Sequence, residues 1–578
     1  MIKFFTFLAS FVFFANFQAQ ETESFLPKGL TQEEKSLIKD YSFVSNLRTP
    51  PPTYSVRTKA EWEEIEYLVL SWRSYPNVLR QIVAAAVNEC KVLIATDNPT
   101  SVSSFLTQGG ISLTNVEFIS TQTNSVWIRD FGGNTAYRDG VGDRVLVDWT
   151  YNRPRPLDNA LPSLHATHVN SPIFITQTSP NDLVHTGGNY MSDGMGTAFS
   201  SKLILQENQA GNPYGVSTKS EAQINTIMQN YMGINRYIKM DQLPFDGINH
   251  IDMHMKLLDE ETLLVSRYPE GVADGPQITE NINYVLSNFN SYFNTPYIIK
   301  WIDAPPSPTG NHPDNGASYR TFTNAVFINK TVIVPTYRPE VDGPALAQYQ
   351  QMLPGYNIVG IDVDNSPENV IAASGAIHCI THTIGVNNPL QIVHQSVKTV
   401  NAVVNIPINA LIRHRTGIVQ AKVFWRVEGT TTFNEVSMTA TSNDQWQAFL
   451  NIPQNALKIQ YYIWAQANSG KIQLRPLVAP QGFWTFEVSA LASETFDLSQ
   501  ISGPFPNPAT DYVSFNLPTT SSPIQLTITD ISGRSLFSKD LMIVDNQLQI
   551  NLEKTWSGVL FFNFSGPFGK ITKKLIKK

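Results

Sequence analysis

Cysteine is scarce in this chain, so each of its two cysteines can be weighed separately. Cys379 lies in Ala376-Ile-His-Cys-Ile-Thr-His382, and a lone cysteine in a chain that also carries histidines is a candidate nucleophile. It could equally be a core thiol, or pair with Cys90 in a disulfide if the chain is exported. Cys90 itself falls on the apolar face of an expected helix and reads as an inert buried thiol. A second candidate is Asn249-His-Ile-Asp-Met-His-Met-Lys256. On a strand, alternate side chains share a face, so His250, Asp252 and His254 would point the same way. That set suits a metal site, an acid/base histidine beside a substrate-binding carboxylate, or a solvated strand face, and spacing alone does not choose among them. Two glycine turns complete the inventory: Ser125-Val-Trp-Ile-Arg-Asp-Phe-Gly-Gly133 and His185-Thr-Gly-Gly-Asn-Tyr-Met-Ser-Asp-Gly194. Neither carries the lysine of a phosphate loop, which speaks against a nucleotide site.

The elements that must position these residues alternate in type. From about Arg48 to Val386, strands are expected at Tyr67–Trp72, Lys91–Ala95, Arg144–Trp149, Lys202–Gln206 and Val332–Pro335. Helices are expected at Asn77–Cys90, Ser217–Met232, Gln277–Phe293 and Pro344–Leu353. In the first of these, Leu79, Ile82, Val83, Ala86, Val87 and Cys90 fall on one face. Such alternation predicts an α/β domain. Beyond Asn387 the helices stop. Val400–Ile406, Gln420–Trp425, Glu435–Ala440, Gln447–Ile452 and Ile459–Ala465 read as successive strands, as expected for an immunoglobulin-like sandwich over 387–488. A linker at 489–499 and a final domain at 500–578 follow. No strong internal repeat is visible.

The 578 residues suggest roughly three or four domains. Lys plus Arg total 41 and Asp plus Glu 48, a net charge of −7 that argues against a general nucleic-acid binder. At 42% hydrophobic and 15% charged residues the chain is built to fold, and two cysteines exclude a disulfide scaffold. Lys3 followed by the apolar run Phe4–Phe14 reads as a secretory signal cut after Ala19, giving a signal peptide at 1–19. No other stretch approaches the ~20 apolar residues of a membrane span, so no stable transmembrane segment is expected.

Two resemblances join these readings. The last 80 or so residues resemble the C-terminal sorting domain of the type IX secretion system, on Pro504–Asp511, Asp530-Ile-Ser-Gly-Arg534 and the basic end Lys573–Lys578. That implies passage through the periplasm to the outer-membrane surface or the medium, with the type IX machinery as a partner. Trp127-x-x-Asp130, Gly187-Gly-Asn, His250-x-Asp252, Thr323-Asn324 and His378-Cys379, in that order, resemble the guanidine-modifying superfamily and its agmatine deiminase type of catalytic domain. Together with Tyr151-Asn-Arg-Pro-Arg-Pro156 and the sorting domain, they resemble the secreted bacterial peptidylarginine deiminases in particular. The resemblance implies a five-bladed α/β-propeller (a pentein) over 48–386, with Cys379 as nucleophile and His250 as acid/base. Asp130 and Asp252 would hold the guanidinium, Asn324 would be an active-site asparagine, and Trp127 would contact substrate. His254 has no confident counterpart.

The chemistry those residues could perform is coherent in its own right. A guanidinium is planar and cationic, and two carboxylates can bind its N–H groups while presenting Cζ to a thiolate. His250 would protonate the departing ammonia and then activate water on the thiouronium, giving citrulline. No metal and no organic cofactor is required. Arg153 and Arg155, in a loop restricted by Pro154 and Pro156, would receive the carboxylate of a C-terminal arginine in a peptide. The alternatives are an agmatine deiminase acting on a small free amine, a non-enzymatic surface adhesin, and a metal hydrolase built on His250, Asp252 and His254.

Overall fold

The computed structural model describes residues 26–43, 49–489, 501–517, 523–542, 547–566 and 569–578. The expected signal peptide and the linker from residue 490 onward lie outside these residues. The chain forms two compact units: Met1–Val397, Pro407–Leu450 and Gln460–Thr485 in one, Lys398–Ile406, Asn451–Ile459 and Phe486–Lys578 in the other.

The first unit repeats one motif. Among the described residues up to 397, five small sheets recur, and in each a short strand pairs antiparallel with a second strand, which then pairs parallel with a third. The central strands are Arg144–Trp149, Thr197–Ser201, Thr262–Arg267, Thr331–Thr336 and Ile65–Ser71. Parallel neighbours cannot be joined by a tight turn, so a helix must cross over between them. Leu161–His168, Glu221–Met232, Asp274–Asn288, Pro339–Met352 and Pro76–Ala86 are those crossovers. The last sheet is assembled from both ends of the unit, because His382–Gly385 pairs with Ile65–Ser71. The repeat is one of backbone geometry only, which explains why it leaves no repeat in the sequence.

Helix Pro76–Ala86 buries Val78, Leu79, Ile82, Val83 and Ala86, the face expected from its spacing, and stops before Cys90. Helix Glu221–Met232 opens on a capping box between Ser220 and Gln223 and closes on Gly233, whose φ of 70° is left-handed. A Cβ there would stand 1.9 Å from the Val56 carbonyl oxygen, so the position requires glycine on two counts. Helix Pro339–Met352 begins five residues before its expected start and runs through Pro344.

Three expectations are corrected. Lys202–Gln206 is not a strand: Leu203–Glu207 is a short helix, tied down by the Asn208 side chain donating to the Ile204 and Val184 carbonyls. A short apolar run fits either element, and the local hydrogen bonds decide. Val400–Ile406 is not continuous, because strand Thr399–Val400 ends and the next begins only at Ile406, after Asn405 adopts a left-handed φ of 55°. His250–His254 is not a strand face either. Ile251–Met253 forms one 3-10 turn, and the strand starts at Met255.

The β-rich part of the first unit pairs Ile418–Val427 with Asn434–Ser437 and Ile463–Gln466 with Ile472–Arg475, all antiparallel. The second unit has its own core of Val513, Phe515, Leu526, Ile528, Leu560, Phe562, Phe564 and Leu575. It is built by a three-stranded sheet (Ser502–Phe505, Tyr512–Asn516, Gln547–Asn551) and a four-stranded one (Ser535–Leu541, Ile524–Asp530, Gly558–Gly566, Gly569–Lys577). The Asp530-Ile-Ser-Gly-Arg534 motif is a turn in which Asp530 Oδ1 accepts from the Ser532 and Arg534 amides at 2.9 and 3.1 Å.

Leu68, fully buried in the central strand of the closing sheet, packs in the large core. Leu68→Ala is expected to destabilise the first unit by about 2–5 kcal/mol, read as a lowered urea midpoint at unchanged slope.

Candidate active site

Each of the five sheets delivers its candidate site residues from the same place, the segment that leads into its first hairpin strand. Asp130 precedes Asn134–Arg138, and Gly187–Asn189 precedes Met191–Ser192. His250 and Asp252 precede Met255–Leu257, Asn324 precedes Val326–Ile328, and Cys379 precedes His382–Gly385. This recurrence brings together residues up to 249 positions apart in sequence.

At the centre Cys379 Sγ lies 3.6 Å from Asp252 Oδ2 and 3.4 Å from Asn324 Nδ2. Asn324 also fixes the turn around the cysteine, its Oδ1 accepting from the His378 amide at 3.0 Å and its Nδ2 donating to the Asp252 carbonyl at 3.1 Å. His250 Nδ1 stands 3.4 Å from Asp130 Oδ1, and its Nε2 is hydrogen-bonded to Thr186 Oγ1 at 2.9 Å. Asp252 Oδ2 meets His378 Nδ1 at 2.9 Å, and His378 Nε2 faces Glu61 Oε2 at 3.4 Å. Asp130 Oδ1, Asp252 Oδ1 and His250 Nδ1 are buried without a hydrogen-bond partner among the described residues.

Glycine makes this density possible. A Cβ on Gly188 would stand 2.6 Å from His250 Nδ1, 2.8 Å from Asp130 Oδ1 and 3.2 Å from Asp252 Oδ2. A Cβ on Gly187 would lie 2.1 Å from the Arg129 carbonyl. The Gly-Gly pair, a weak signal when its turn is read alone, is thus a clearance in the middle of the site.

The occupant of the centre is a residue that sequence reasoning missed. The Lys28 ammonium is fully buried, 3.0 Å from Cys379 Sγ, 3.7 Å from Asp252 Oδ1 and 4.0 Å from Asp130 Oδ1. Burial alone would raise both carboxyls. Lys28 overrides it and, with His250 at Asp130 and His378 at Asp252, holds both below the usual carboxylate range. Burial and the Asp252 charge push the Cys379 thiol up to about 12, against the opposing pull of Lys28. Nothing near residue 28 in the sequence signals this role, since the lysine follows a proline in an otherwise ordinary segment. His378 as the partner of Asp252, and Glu61 as the partner of His378, were also not expected, because these contacts join residues far apart in sequence.

The remaining expected residues are placed as follows. Trp127 is fully buried, its Nε1 donating to the Leu26 carbonyl at 2.9 Å. The loop beside it is pinned by Asp158, whose Oδ1 accepts from the Asn124 and Ser125 amides at 2.8 and 3.0 Å. Arg153 and Arg155 are buried and face the same segment as Lys28. Arg153 Nε donates to the Lys28 carbonyl at 3.1 Å. Arg155 meets the Glu34 carboxylate with Nε and Nη2 at 2.7 and 3.1 Å, and Nη2 also donates to the Pro27 and Gly29 carbonyls. His254 is buried with neither ring nitrogen hydrogen-bonded among the described residues, and burial lowers its pKa to about 4. Among the described residues no group of three His, Cys, Asp or Glu side chains is arranged to hold a metal. The disulfide alternative is overturned, since Cys90 and Cys379 are both free.

The model of the Porphyromonas-type peptidyl-arginine deiminases matches residues 57–384, more than half of the chain. The chain belongs to this family, a group of hydrolases that deiminate guanidino groups. Residues 504–578 match a secretion-system C-terminal sorting domain of type IX, which directs the protein to the outer-membrane surface or the medium. No helix among the described residues is long and apolar enough to cross a membrane. Two proteins named "Putative agmatine deiminase" are similar: one from Yersinia pseudotuberculosis, 25% identical over 56% of this chain and 94% of its own, and one from Lactococcus lactis, 23% identical over 58% and 97%. An X-ray structure of a protein given the same name covers 59% of this chain and 100% of its own at 17% identity, with a TM-score of 0.51, a likeness of fold.

Two outcomes follow from the geometry. Gly188→Ala is expected to lower deiminase turnover by about a hundredfold with an unchanged circular dichroism spectrum, since it displaces His250 and both carboxylates. Alkylation of Cys379 by iodoacetamide, followed by peptide mass spectrometry, is expected to speed up about tenfold per pH unit from about pH 7 to 9. The reactive thiolate is the minor form throughout that range. A plateau near neutrality would contradict the raised thiol.

Proposed function

We propose that this protein converts arginine in peptides, with preference for a C-terminal arginine, to citrulline and ammonia through a thiouronium on Cys379. The observation that carries this reading is the pair of buried carboxylates, Asp130 and Asp252, each with an oxygen that accepts no hydrogen bond and both within 4.0 Å of one cationic nitrogen. A guanidinium offers five N–H donors in a plane where an ammonium offers three, so it would satisfy those oxygens better. Bound there it brings delocalised positive charge against Sγ, opposing the push that Asp252 and Asp130 exert on the thiol. The thiol gives up its proton to His250, and the thiolate attacks Cζ. The S–C bond forms, the tetrahedral carbon expels ammonia with a proton from His250, and water activated by His250 then releases citrulline and the free thiol. Asn324 positions the sulfur through its two contacts.

The peptide preference rests on Arg153 and Arg155. They take main-chain carbonyls, and Arg155 takes a carboxylate through two donors, as a receptor for a peptide end would. Agmatine has neither group. It is kept as the second reading because the similar proteins bear that name. The architecture proposed with this function is a five-bladed propeller over 48–386 with the site on its axis, an immunoglobulin-like domain over 387–488, and the sorting domain from 500. Five sheets, each sending a residue from the same hairpin entry, support the propeller.

Cys379→Ala and Cys379→Ser are expected to abolish citrulline formation without loss of fold. Asp130→Asn and Asp252→Asn should each remove most of it, because the buried substrate cation is left short of a countercharge. Near-normal ammonia release by either cysteine variant would refute the nucleophile. On matched peptides the free acid is expected to outpace the amide, and Arg155→Ala to narrow the difference. One charge-assisted bond contributes about 1.5–3 kcal/mol, or roughly ten- to a hundredfold in affinity. Equal rates on acid and amide, or faster turnover of agmatine, would favour the small-amine reading.

A further inference from the structure

We propose that Leu26–Glu34 is a built-in peptide ligand of the substrate cleft, with Lys28 standing where a substrate arginine would stand, so that the chain is latent until this segment is displaced. The inference rests on the deiminase reading for what the cleft normally holds, and on contacts of its own for what fills it.

Lysine Nζ is as many bonds from its Cα as arginine Cζ is from its own. Lys28 Nζ therefore lies where the electrophilic carbon of a peptidyl arginine would come, and its 3.0 Å from Cys379 Sγ is the separation of a poised attack. An amine offers no such carbon. Its nearest carbon, Cε, is saturated and not activated, so no S–C bond forms and no ammonia leaves. The ammonium meanwhile compensates Asp130 and Asp252, which a bare cleft would leave buried and unpaired. Only another cation of similar reach replaces it without that cost.

The backbone of the segment is held as a ligand's would be. Four successive carbonyls have a donor from the cleft: Leu26 from Trp127 Nε1, Pro27 and Gly29 from Arg155, Lys28 from Arg153. The Lys28 amide donates to the Ala373 carbonyl at 2.9 Å. Beyond it, helix Gln32–Leu37 begins with a capping box between Thr31 and Glu34, which fixes the carboxylate that Arg155 engages. Ile38 and Phe43 then bury against Val184, Tyr214 and Val216. The residues we assign to substrate recognition are thus all spent on the protein's own chain.

The full-length chain tests this in three ways. Reductive methylation of the native protein, read lysine by lysine, should modify Lys28 at least about tenfold more slowly than exposed Lys39. Equal labelling would overturn the docking whatever the activity. In Lys28→Arg, residue 28 itself should become citrulline, and should stay unmodified when Cys379→Ala is added. Absence of citrulline at position 28 in a Lys28→Arg chain that deiminates added peptide would place the segment out of register and sink the proposal while leaving the deiminase reading intact. Lys28→Ala should deiminate an added arginine peptide about tenfold faster or more than wild type, and an unchanged rate would overturn latency. Protection of Lys28 with no citrulline from any variant would instead refute the deiminase reading and uphold the docked segment.

Discussion

Two carboxylates buried within a few ångströms of a thiol are the constraint around which the first unit is arranged. Asp130 and Asp252 are charged, almost wholly shielded from water, and each has one oxygen without a hydrogen bond. Such a pair is costly to hold and tolerable only with a cation between them. In this chain the cation is Lys28. The same unsatisfied charge is what would receive a guanidinium in the proposed function, so the features that stabilise the resting chain and those proposed to select a substrate are one set of atoms.

The scaffold solves the problem of holding that pair rigidly by repetition. Each sheet contributes from the segment just before its first hairpin strand, where the backbone is fixed on its C-terminal side by the sheet and is still free to turn. Short helical turns at Ile128–Phe131, Gly187–Asn189 and Ile251–Met253 use that freedom. Gly188 then removes the one Cβ that would fill the space His250 and the two carboxylates require. Further out, Asp158, Glu61 and Thr186 hold the loops and rings in place through the Ser125 amide, His378 and His250. An arrangement built this way leaves the thiol protonated by default, because burial and negative neighbours favour the neutral form. In the proposed deiminase reading the nucleophile is therefore held neutral while Lys28 fills the cleft, a restraint on its reactivity. For a protein sent outside the cell by its C-terminal domain, that restraint lies within the catalytic unit itself.

Much of this was legible in the sequence, and the boundary is informative. Motif order carried the candidate residues, since Asp130, His250, Asp252, Asn324 and Cys379 each sit beside a recognisable neighbour and the fold brings all of them to one centre. Periodicity carried the longer elements: Arg144–Trp149 appears with the expected limits, and the buried face of Pro76–Ala86 is the expected face. Apolar alternation fails where a local turn competes with it. His250 to His254 reads as a strand but forms a 3-10 turn, so Asp252 reaches the centre while His254 is buried elsewhere, and the equal footing given to the three was an artefact of strand geometry. Lys202–Gln206 fails for a similar reason, with Asn208 bonding the helical form.

What the sequence determined by itself was therefore residue type and order: which side chains are candidates for attack, clamping and proton transfer, the address at the C-terminus, and the succession of element types. These are properties of residue type and near spacing, which local physics fixes. The tertiary structure alone decided which charges face one another. Asp252 with His378, Arg155 with Glu34 and Lys28 with Cys379 are separated by 126, 121 and 351 positions, and no periodicity spans such distances. The partner of a buried charge is chosen by the tertiary fold, and a lysine with no motif of its own comes to the centre because the fold brings its ammonium beside two carboxylates that need it.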